Sequence, residues 1–314
     1  MSPTALALVL AAACCHAAWN ILAHGVSRIG IPFLWWGAVA ATLVWLPLVP
    51  ATGGLGEARP EDFALGVAVS ALLHCGYMLV LQRGYARGRL STVYATARGT
   101  GPTITVIVAV TLLGERPSPA AFGGIAVILA GIVAIGLLDR ERGAAAASGL
   151  ATASAPAPAS GPSPRPRSGR ILGVRLDPGI AWGLATGVAI AIYTVWDAHA
   201  VREWAIPPVA YMVGCTLGEI VLYAAMLGRR RSELLPVMRR HWPRILLFGA
   251  LSPLSYILVL VAVTMAPVAL VAPMREVSVV LVSLFGAIVL RESRPGWRLA
   301  ASALVVGGIA LLAL

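Results

Sequence analysis

The sequence predicts an all-α integral membrane protein, with ten transmembrane helices arranged as two inverted five-helix repeats. The composition is the first observation behind this fold class. Hydrophobic residues make up 59% of the 314 residues, charged residues make up only 12%, and the mean hydropathy is +0.85. These values lie outside the range of soluble globular proteins. Most of the chain is therefore expected to lie in lipid.

An internal repetition is the second observation. The stretch 94–115 recurs as the stretch 271–292, at an offset of 177 residues. The same offset aligns five pairs of residues: Arg98 with Arg275, Glu115 with Glu292, Trp19 with Trp196, Asn20 with Asp197 and Gly131 with Gly308. Repetition at one fixed offset indicates a duplicated structural unit, so the two halves of the chain are expected to share one plan.

Ten apolar blocks are long enough to be membrane spans. A span needs about 20 mostly apolar residues, because the hydrocarbon core is about 30 Å thick and a helix rises 1.5 Å per residue. Every backbone polar group in lipid needs an internal partner, so these blocks are predicted to be helices. They cover residues 3–24, 31–50, 63–82, 91–113, 118–138, 178–197, 207–227, 243–265, 267–290 and 297–314.

The blocks fall into two domains separated by a linker. Residues 1–138 form the first five-helix repeat, and residues 178–314 form the second. Residues 139–177 are rich in Ala, Pro, Ser and Arg, have few large apolar residues, and are predicted to be a flexible linker. Five is an odd number of helices, so two copies must have opposite orientations in the membrane. Inverted repeats are typical of secondary transporters, whose binding site lies near the midplane between the repeats.

Small residues predict where helices approach closely. The fifth block is rich in Ala and Gly, which suits close packing against a neighbouring helix. In the sixth block, Gly183 and Gly187 are spaced for a close helix crossing. The four cysteines all lie in apolar blocks without metal-ligand spacing, so they are expected to be small packing residues.

The basic residues predict topology rather than nucleic-acid binding. The net charge is +11, and all 24 basic residues are arginines. They lie mainly in the predicted loops 1–2, 3–4, 5–6, 7–8 and 9–10, which hold 19 Arg when the first two residues of each following block are included, against three in loops 2–3, 4–5 and 6–7. The positive-inside rule then places both termini outside the cytoplasm.

Two intramembrane arginines are the leading candidates for substrate binding. Arg98 and Arg275 lie well inside their predicted spans, where an arginine costs about 2.5–3.5 kcal/mol and therefore faces a cavity or a partner. A guanidinium can bind a carboxylate through its planar fork; the alternative is an internal ion pair. Aromatic and polar residues complete the predicted substrate site: Trp19, Asn20, Tyr77, Tyr94, Trp196 and Tyr256, with Tyr193 as a further pocket wall.

Carboxylates and histidines inside the spans are candidates for ion coupling. The candidates are Glu276, Glu219, Asp197 and His16. An ion pair with arginine is the alternative for each carboxylate, and Glu276 is expected to point about 100° away from Arg275 on the helix. His16 and His74 are both able to shuttle protons, and a single interhelical hydrogen bond is the alternative role of each. Glu115 and Glu292 are expected to be structural ends of the repeats.

The combined features resemble the drug/metabolite transporter superfamily, specifically its EamA-type members. The matching residues are His16-Ala-Ala-Trp19-Asn20 in the first block and Gly114-Glu115-Arg116 and Arg291-Glu292 at the ends of the fourth and ninth. The resemblance implies export or exchange of small metabolites, often driven by an ion gradient. It also implies that both termini are cytoplasmic, opposite to the arginine distribution, so both orientations stay open.

The sequence therefore predicts a secondary transporter in the cytoplasmic (inner) membrane of a bacterium. Its expected substrate is an anionic or zwitterionic metabolite, such as an amino acid, with protons or another ion as the coupling partner. A multidrug-type exporter of lipophilic cations is the first alternative, and an integral membrane enzyme acting on lipid-linked substrates is the second. No catalytic motif, cofactor or metal is predicted, and the oligomeric state is left open.

Overall fold

The computed structural model describes residues 1–23, 29–87, 90–134, 170–171, 174–175, 178–281 and 295–313. Nearly all of them are helical. The helices are α1 (Pro3–Ala23), α2 (Ile31–Trp45), α3 (Pro60–Arg87), α4 (Leu90–Thr111), α5 (Pro119–Ala134), α6 (Pro178–Arg202), α7 (Pro208–Leu227), α8 (Leu234–Met265), α9 (Val268–Arg275) and α10 (Pro295–Ala313).

Two short strands lie in the predicted linker. Strand β1 (Arg170–Ile171) pairs antiparallel with β2 (Val174–Arg175). This pairing was not predicted, because the composition of the stretch indicates a flexible linker. The rest of the stretch 139–177 lies outside the described residues.

Four helical stretches in the described part are long and apolar enough to cross a membrane by length and composition. They are Ile31–Leu48, Pro60–Arg87, Pro178–Arg202 and Pro208–Met265, the last of which runs from α7 through a 3₁₀ turn into α8. Pro3–Trp19 and Pro119–Ala134 are shorter apolar helices. The fold is thus all-helical and of membrane type, and the arrangement of ten inverted spans stays a prediction.

The end of α6 and the start of α8 differ from the prediction. α6 continues past residue 197 to Arg202, and α8 begins at Leu234, nine residues before the predicted start. Charged residues in these added ends, Arg202 in α6 and Arg239 and Arg240 in α8, interrupt the apolar runs, yet the helix continues through them. Hydropathy therefore locates the part of a helix that suits lipid and misses its polar ends.

The predicted ninth span is interrupted in its middle. α9 ends at Arg275, Glu276 forms a turn, and the helix resumes at residues 277–281. Pro273 lies just before the turn and has no N–H to continue the helical ladder. The N–H of Glu276 instead donates to the Pro273 oxygen at 3.1 Å. The chain is thereby tightened at the position of the two charged residues, Arg275 and Glu276.

Glycines allow the predicted close helix crossing. A Cβ atom added to Gly183 of α6 would lie 2.5 Å from Thr96 Cβ and 2.9 Å from the Val93 oxygen, both on α4. One added to Gly187 would lie 2.6 Å from Thr100 Cβ on the same helix. The prediction for Gly183 and Gly187 is confirmed, since α4 and α6 pack where no side chain intervenes.

The predicted packing of the fifth helix against a neighbour is also observed. A Cβ atom added to Gly308 of α10 would lie 2.8 Å from the Gly124 oxygen of α5 and 2.7 Å from the side chain of Ile128. The backbones of α5 and α10 therefore approach closely at this point. The small residues of both helices make this approach possible.

The pattern of helix contacts relates the two halves. α1 packs on α8 and α6 packs on α3, while α2 packs on α8 and α7 packs on α3. α2 also contacts α7, and α4 contacts α9. When each helix is exchanged with its counterpart five helices away in the other half, the α1–α8 contact becomes the α6–α3 contact. In the same way, the α2–α8 contact becomes the α7–α3 contact.

The bundle has two distinguishable ends. At the Glu115 end, the side chain of Glu115 contacts Arg202 at the C-terminus of α6 and Val268 at the N-terminus of α9. At the Arg230 end, Arg230 Nη2 donates to the Ile29 oxygen before α2 at 2.8 Å. A large apolar cluster fills the Glu115 end and includes Ala109, Val201, Ile206, Val263, Ala266 and Val268.

Candidate functional site

A cavity of about 130 Å³ lies inside the bundle, displaced toward the Arg230 end. Its wall is built from α1, α2, α3, α4, α6, α7, α8 and α9, so both halves of the chain contribute. The polar and aromatic lining residues are His16, Trp19, His74, Tyr77, Arg98, Tyr193, Thr216, Glu219, Tyr223, Phe248, Ser252, Ser255, Tyr256 and Arg275. This combination of an apolar wall and a few converging polar groups is typical of small-molecule sites.

The two predicted arginines converge on one carboxylate at the cavity wall. Arg98 is 8% exposed and Arg275 is 6% exposed, while Glu276 is completely buried. Arg98 Nη1 donates to Glu276 Oε2 at 2.9 Å. Arg275 donates to Glu276 Oε1 through Nη2 at 3.3 Å and through Nε at 3.4 Å, both long contacts. The ion pair that the sequence analysis weighed as the alternative role of Glu276 is therefore present.

The expected direction of Glu276 is wrong. Consecutive residues of a regular helix point about 100° apart, which would separate the side chains of Arg275 and Glu276. The helix tightens at Glu276, and the two side chains instead meet. The interruption thus brings one carboxylate against arginines from both repeats.

Arg98 also connects this cluster to α1. Its Nη2 donates to His16 Nε2 at 3.1 Å, so this imidazole nitrogen acts as an acceptor. The guanidinium lies over the ring of Tyr94, 5.2 Å from the centroid, which is a cation–π distance. The His16 ring packs edge-on against Trp19, with ring centroids 5.0 Å apart. Four of the predicted site residues therefore lie in one contiguous group, namely Arg98, Tyr94, His16 and Trp19.

A second buried carboxylate, Asp197, lies behind the cavity wall. Asp197 is completely buried within α6. It is the acceptor for four side chains: Ser70 Oγ at 2.7 Å, the Tyr211 hydroxyl at 2.7 Å, His74 Nε2 at 3.0 Å and the Tyr256 hydroxyl. The donors come from α3, α7 and α8, so this one carboxylate joins four helices. Its hydrogen-bonding capacity is filled.

Three polar groups in the cavity wall have no partner within the described part of the chain. The half-buried carboxylate of Glu219 makes no hydrogen bond or ion pair there, and Arg275 Nη1 makes no hydrogen bond. The buried indole N–H of Trp19 also has no acceptor. Buried polar groups are normally satisfied, so groups of this kind suit a bound molecule or water.

The predicted site residues divide between the cavity and its surroundings. Those that line the cavity are Trp19, Tyr77, Arg98, Tyr256, Arg275, His16 and Glu219. Tyr94, Glu276 and Asp197 lie directly behind lining residues. Trp196 lies away from the cavity, where its indole N–H donates to the Gly66 oxygen at 3.1 Å. The side chain of Asn20 lies outside the described residues.

Sequence reasoning missed the hydrogen-bond donors around Asp197. For His74 the sequence left a proton-carrying role and a single interhelical hydrogen bond open, and neither Ser70 nor Tyr211 was singled out. Ser70 and His74 are four residues apart, which places both on one face of α3, so this spacing was the available signal. Their shared acceptor lies more than 120 residues away in the chain.

Glu115 has the structural role that was expected of it. Gly114 has φ of +66°, a conformation that favours glycine, and it ends the α4 segment just before Glu115. The carboxylate of Glu115 accepts from the backbone N–H groups of Val268 and Ala269 at 2.8 and 2.9 Å. It thus caps the N-terminus of α9, where unpaired N–H groups attract a negative charge. Its counterpart Glu292 lies outside the described residues.

Among the residues that the structure describes, no group of three or more His, Cys, Asp or Glu residues could hold a metal ion.

The fold is shared with a known crystal structure. A solved chain described as "Crystal structure of protein" superposes with a TM-score of 0.68 at 19% sequence identity. The match covers 99% of this chain and 96% of the other. At this identity the similarity shows the fold alone. No curated protein matches the sequence.

Family membership follows from a separate comparison. The profile of the EamA-like transporter family matches the chain twice, at residues 3–137 and 177–314. The two matches together cover most of the chain, and the resemblance inferred from the sequence is confirmed. Members of this family are transporters of the drug/metabolite type. The protein belongs to the EamA-like transporter family and is a multi-pass membrane transporter.

Proposed function

We propose that the protein is a secondary transporter that moves a small zwitterionic metabolite, such as an amino acid, by alternating access. Residues 1–138 and 178–314 act as the two inverted repeats, and residues 139–177 link them. The proposed location is the cytoplasmic membrane of a bacterium. The observation that carries the proposal is that, within the described part of the chain, Arg275 Nη1 and the Glu219 carboxylate lack hydrogen-bond partners in the wall of one cavity.

The charged groups of the cavity supply complementary partners for a zwitterion. Among the described residues, Arg275 Nη1 has no hydrogen-bond partner, and the contacts of Arg275 with Glu276 are long, so Arg275 can bind a substrate carboxylate without losing a strong ion pair. Glu219 can accept a substrate ammonium group. Buried polar groups that lack partners discriminate strongly against a ligand that leaves them unsatisfied. A zwitterion satisfies both, whereas a simple anion leaves Glu219 alone.

The balance of charge also favours a ligand that is not purely anionic. Within the described cavity wall and its backing, Arg98 and Arg275 supply two positive charges. Glu276, Asp197 and Glu219 supply three carboxylates. A buried excess of charge is costly in a medium of low dielectric constant. Adding an anion would increase this excess, while a zwitterion leaves it unchanged.

Alternating access is supported by the shape of the bundle. The cavity lies toward the Arg230 end, whereas the Glu115 end is filled by the large apolar cluster and held by the Glu115 cap. The packing of α1 on α8 and of α6 on α3 follows the exchange expected for inverted repeats. Rocking of the repeats would close the bundle at the Arg230 end and open it at the Glu115 end.

Export of a lipophilic cation is the second candidate. Glu219 and the aromatic lining residues Trp19, Tyr77 and Phe248 could receive a desolvated cation. In that case Arg275 would serve only as a structural partner of Glu276. An integral membrane enzyme on lipid-linked substrates is not favoured by any particular contact of the described residues.

Thermal unfolding of the purified protein with a panel of ligands separates these candidates. A ligand that binds the folded state stabilises it by RT ln(1 + [L]/Kd), which is about 2.7 kcal/mol at 100 times the Kd. We expect amino acids to raise the Tm, and Arg275→Ala to abolish this increase. Arg59→Gln, on an exposed residue at the start of α3, is the matched control and should keep it. Stabilisation by lipophilic cations alone would overturn the proposal.

A further inference from the structure

The buried Asp197 carboxylate accepts hydrogen bonds at both of its oxygens. Three hydroxyl groups donate to it, from Ser70, Tyr211 and Tyr256. Each hydroxyl carries one proton and lies within hydrogen-bond distance of a carboxylate oxygen; the Tyr211 hydroxyl also lies 3.3 Å from the Gly66 oxygen. The remaining contact is His74 Nε2, at 3.0 Å from Oδ2. Because Asp197 acts as the acceptor in these contacts, His74 holds a proton on Nε2, and Nδ1 is the nitrogen that can take up another.

The His74 ring is held in place and is reachable from the cavity. Its side chain is 16% exposed and lines the cavity wall. The ring stacks against Tyr193 at a centroid distance of 4.3 Å and meets Tyr256 edge-on at 5.4 Å. The ring therefore cannot turn away from Asp197 without losing these contacts.

The titratable groups that face His74 come from four helices. They are Asp197 and Tyr193 on α6, Glu219 on α7, Tyr256 on α8 and Arg275 on α9. The two carboxylates attract a positive charge on the imidazole, and the arginine, which also faces Glu276, opposes it. His74 makes its direct hydrogen bond with the Asp197 carboxylate, so the charge nearest to the imidazole ring is negative.

We propose that His74, positioned by Asp197 and facing Glu219, binds the coupling proton of this transporter. The proposal rests on the proposed transport function and adds the coupling ion and its site. A proton from the cavity adds to Nδ1, and Nε2–H stays hydrogen-bonded to Asp197. With His74 charged, the cavity wall and its backing carry three positive and three negative groups. A zwitterion and one proton therefore fill the site without an excess of charge.

His16 is not equivalent to His74. Its Nε2 accepts from the Arg98 guanidinium, which is permanently charged, so a proton on that nitrogen would break the hydrogen bond and add a like charge. The two cavity histidines thus have opposite surroundings, with an arginine at His16 and carboxylates at His74. Proton coupling is therefore assigned to His74.

Histidine NMR of the full chain, labelled at the imidazole carbons, tests the proton site without any substrate. The chain has five histidines, and His74→Gln assigns the signal of His74. We expect His74 to change its ionisation between about pH 5 and pH 9, and to stay neutral over this range in Asp197→Asn. The other histidine signals report whether the variant is folded. A His74 signal that does not titrate, or that titrates equally in folded Asp197→Asn, would overturn the proposal.

Transport in proteoliposomes separates a coupling role from a structural one. The probe is a mixture of the twenty ¹⁴C-labelled amino acids. His74→Gln should reduce accumulation driven by a pH gradient by about tenfold or more, and reduce exchange of labelled for unlabelled probe by a clearly smaller factor. The control is His199→Gln, a histidine outside the cavity that packs against Trp204, and it should keep both activities.

The two experiments have separate outcomes. Unchanged accumulation in His74→Gln, or equal loss of accumulation and exchange, would contradict the coupling role. If the wild type transports no amino acid, the proposed substrate class fails, and the NMR titration alone decides whether His74 is the proton site. If Asp197→Asn does not fold, the His74→Gln comparison decides.

Discussion

Glu115 and Arg202 form an ion pair that joins the two halves of the chain at one end of the bundle. Arg202 Nη1 lies 2.8 Å from Glu115 Oε1, and the same carboxylate accepts both N–H groups at the start of α9. Glu115 follows α4 in the first half, while Arg202 and α9 belong to the second. One side chain therefore connects the ends of three helices across the predicted repeat boundary.

Replacing Glu115 should destabilise the protein more than replacing Arg202. Glu115→Ala removes the cap of α9, which costs about 1–2 kcal/mol. Arg202→Ala removes only the ion pair, and because the Arg202 side chain is 35% exposed, we expect about 0.2–1 kcal/mol. Thermal unfolding of both variants in the same detergent measures the difference. Equal losses would show that the ion pair, and not the cap, carries the stability.

Glu276 should be far less replaceable than an exposed glutamate. Glu276→Gln leaves Arg98 and Arg275 buried without a counter-charge, and removing one partner of a buried pair costs about 3–5 kcal/mol. The control is Glu233→Gln, whose ion pair with Arg230 is more than 40% exposed on both sides and should change stability by less than about 1 kcal/mol. Unfolding temperatures of the two variants test this. A small loss for Glu276→Gln would mean that the arginines have other partners.

The crossing of α4 and α6 should depend on Gly183. In Gly183→Ala the new methyl group would meet Thr96 and the backbone oxygen of Val93, and overpacking of this kind costs about 1–3 kcal/mol. Gly76→Ala is the matched control, because a Cβ atom there meets nothing within 4 Å. This second variant should be neutral or slightly stabilised, since Ala favours helix more than Gly does. Similar stability of both would argue against a tight crossing.

Glu219 should set the preference between zwitterions and simple acids. In Glu219→Gln the cavity loses the partner of the ammonium group but keeps Arg275 for the carboxylate. We expect the affinity for an amino acid to fall by about 10- to 100-fold, while the affinity for the matching carboxylic acid falls less or rises. Calorimetric titration with glycine and acetate measures the ratio. An unchanged ratio would remove Glu219 from the site.

The arginine pair and the glycine crossing could be predicted because the sequence itself carries their physical cause. An arginine in lipid needs a partner or a cavity, and Arg98 and Arg275 have both. Gly183 and Gly187 have a spacing that only a close neighbour explains. In each case the residue type and its depth in the span indicate its surroundings.

The Asp197 network could not be predicted, because its members come from helices that are distant in sequence. Nothing local in α6 indicates that Ser70, His74, Tyr211 and Tyr256 meet at one carboxylate. The direction of Glu276 was wrong for a different reason, since the expectation assumed a regular helix. Pro273 was visible in the sequence and was the signal for the interruption.

A crystal structure of the wild-type protein with a bound amino acid tests the central claim most directly. We predict that the ligand lies in the cavity, with its carboxylate within hydrogen-bond distance of Arg275 and its ammonium group directed at Glu219. The Arg98–Glu276 ion pair should stay intact. A ligand bound elsewhere, or bound in the cavity with neither charged group contacted, would contradict the account.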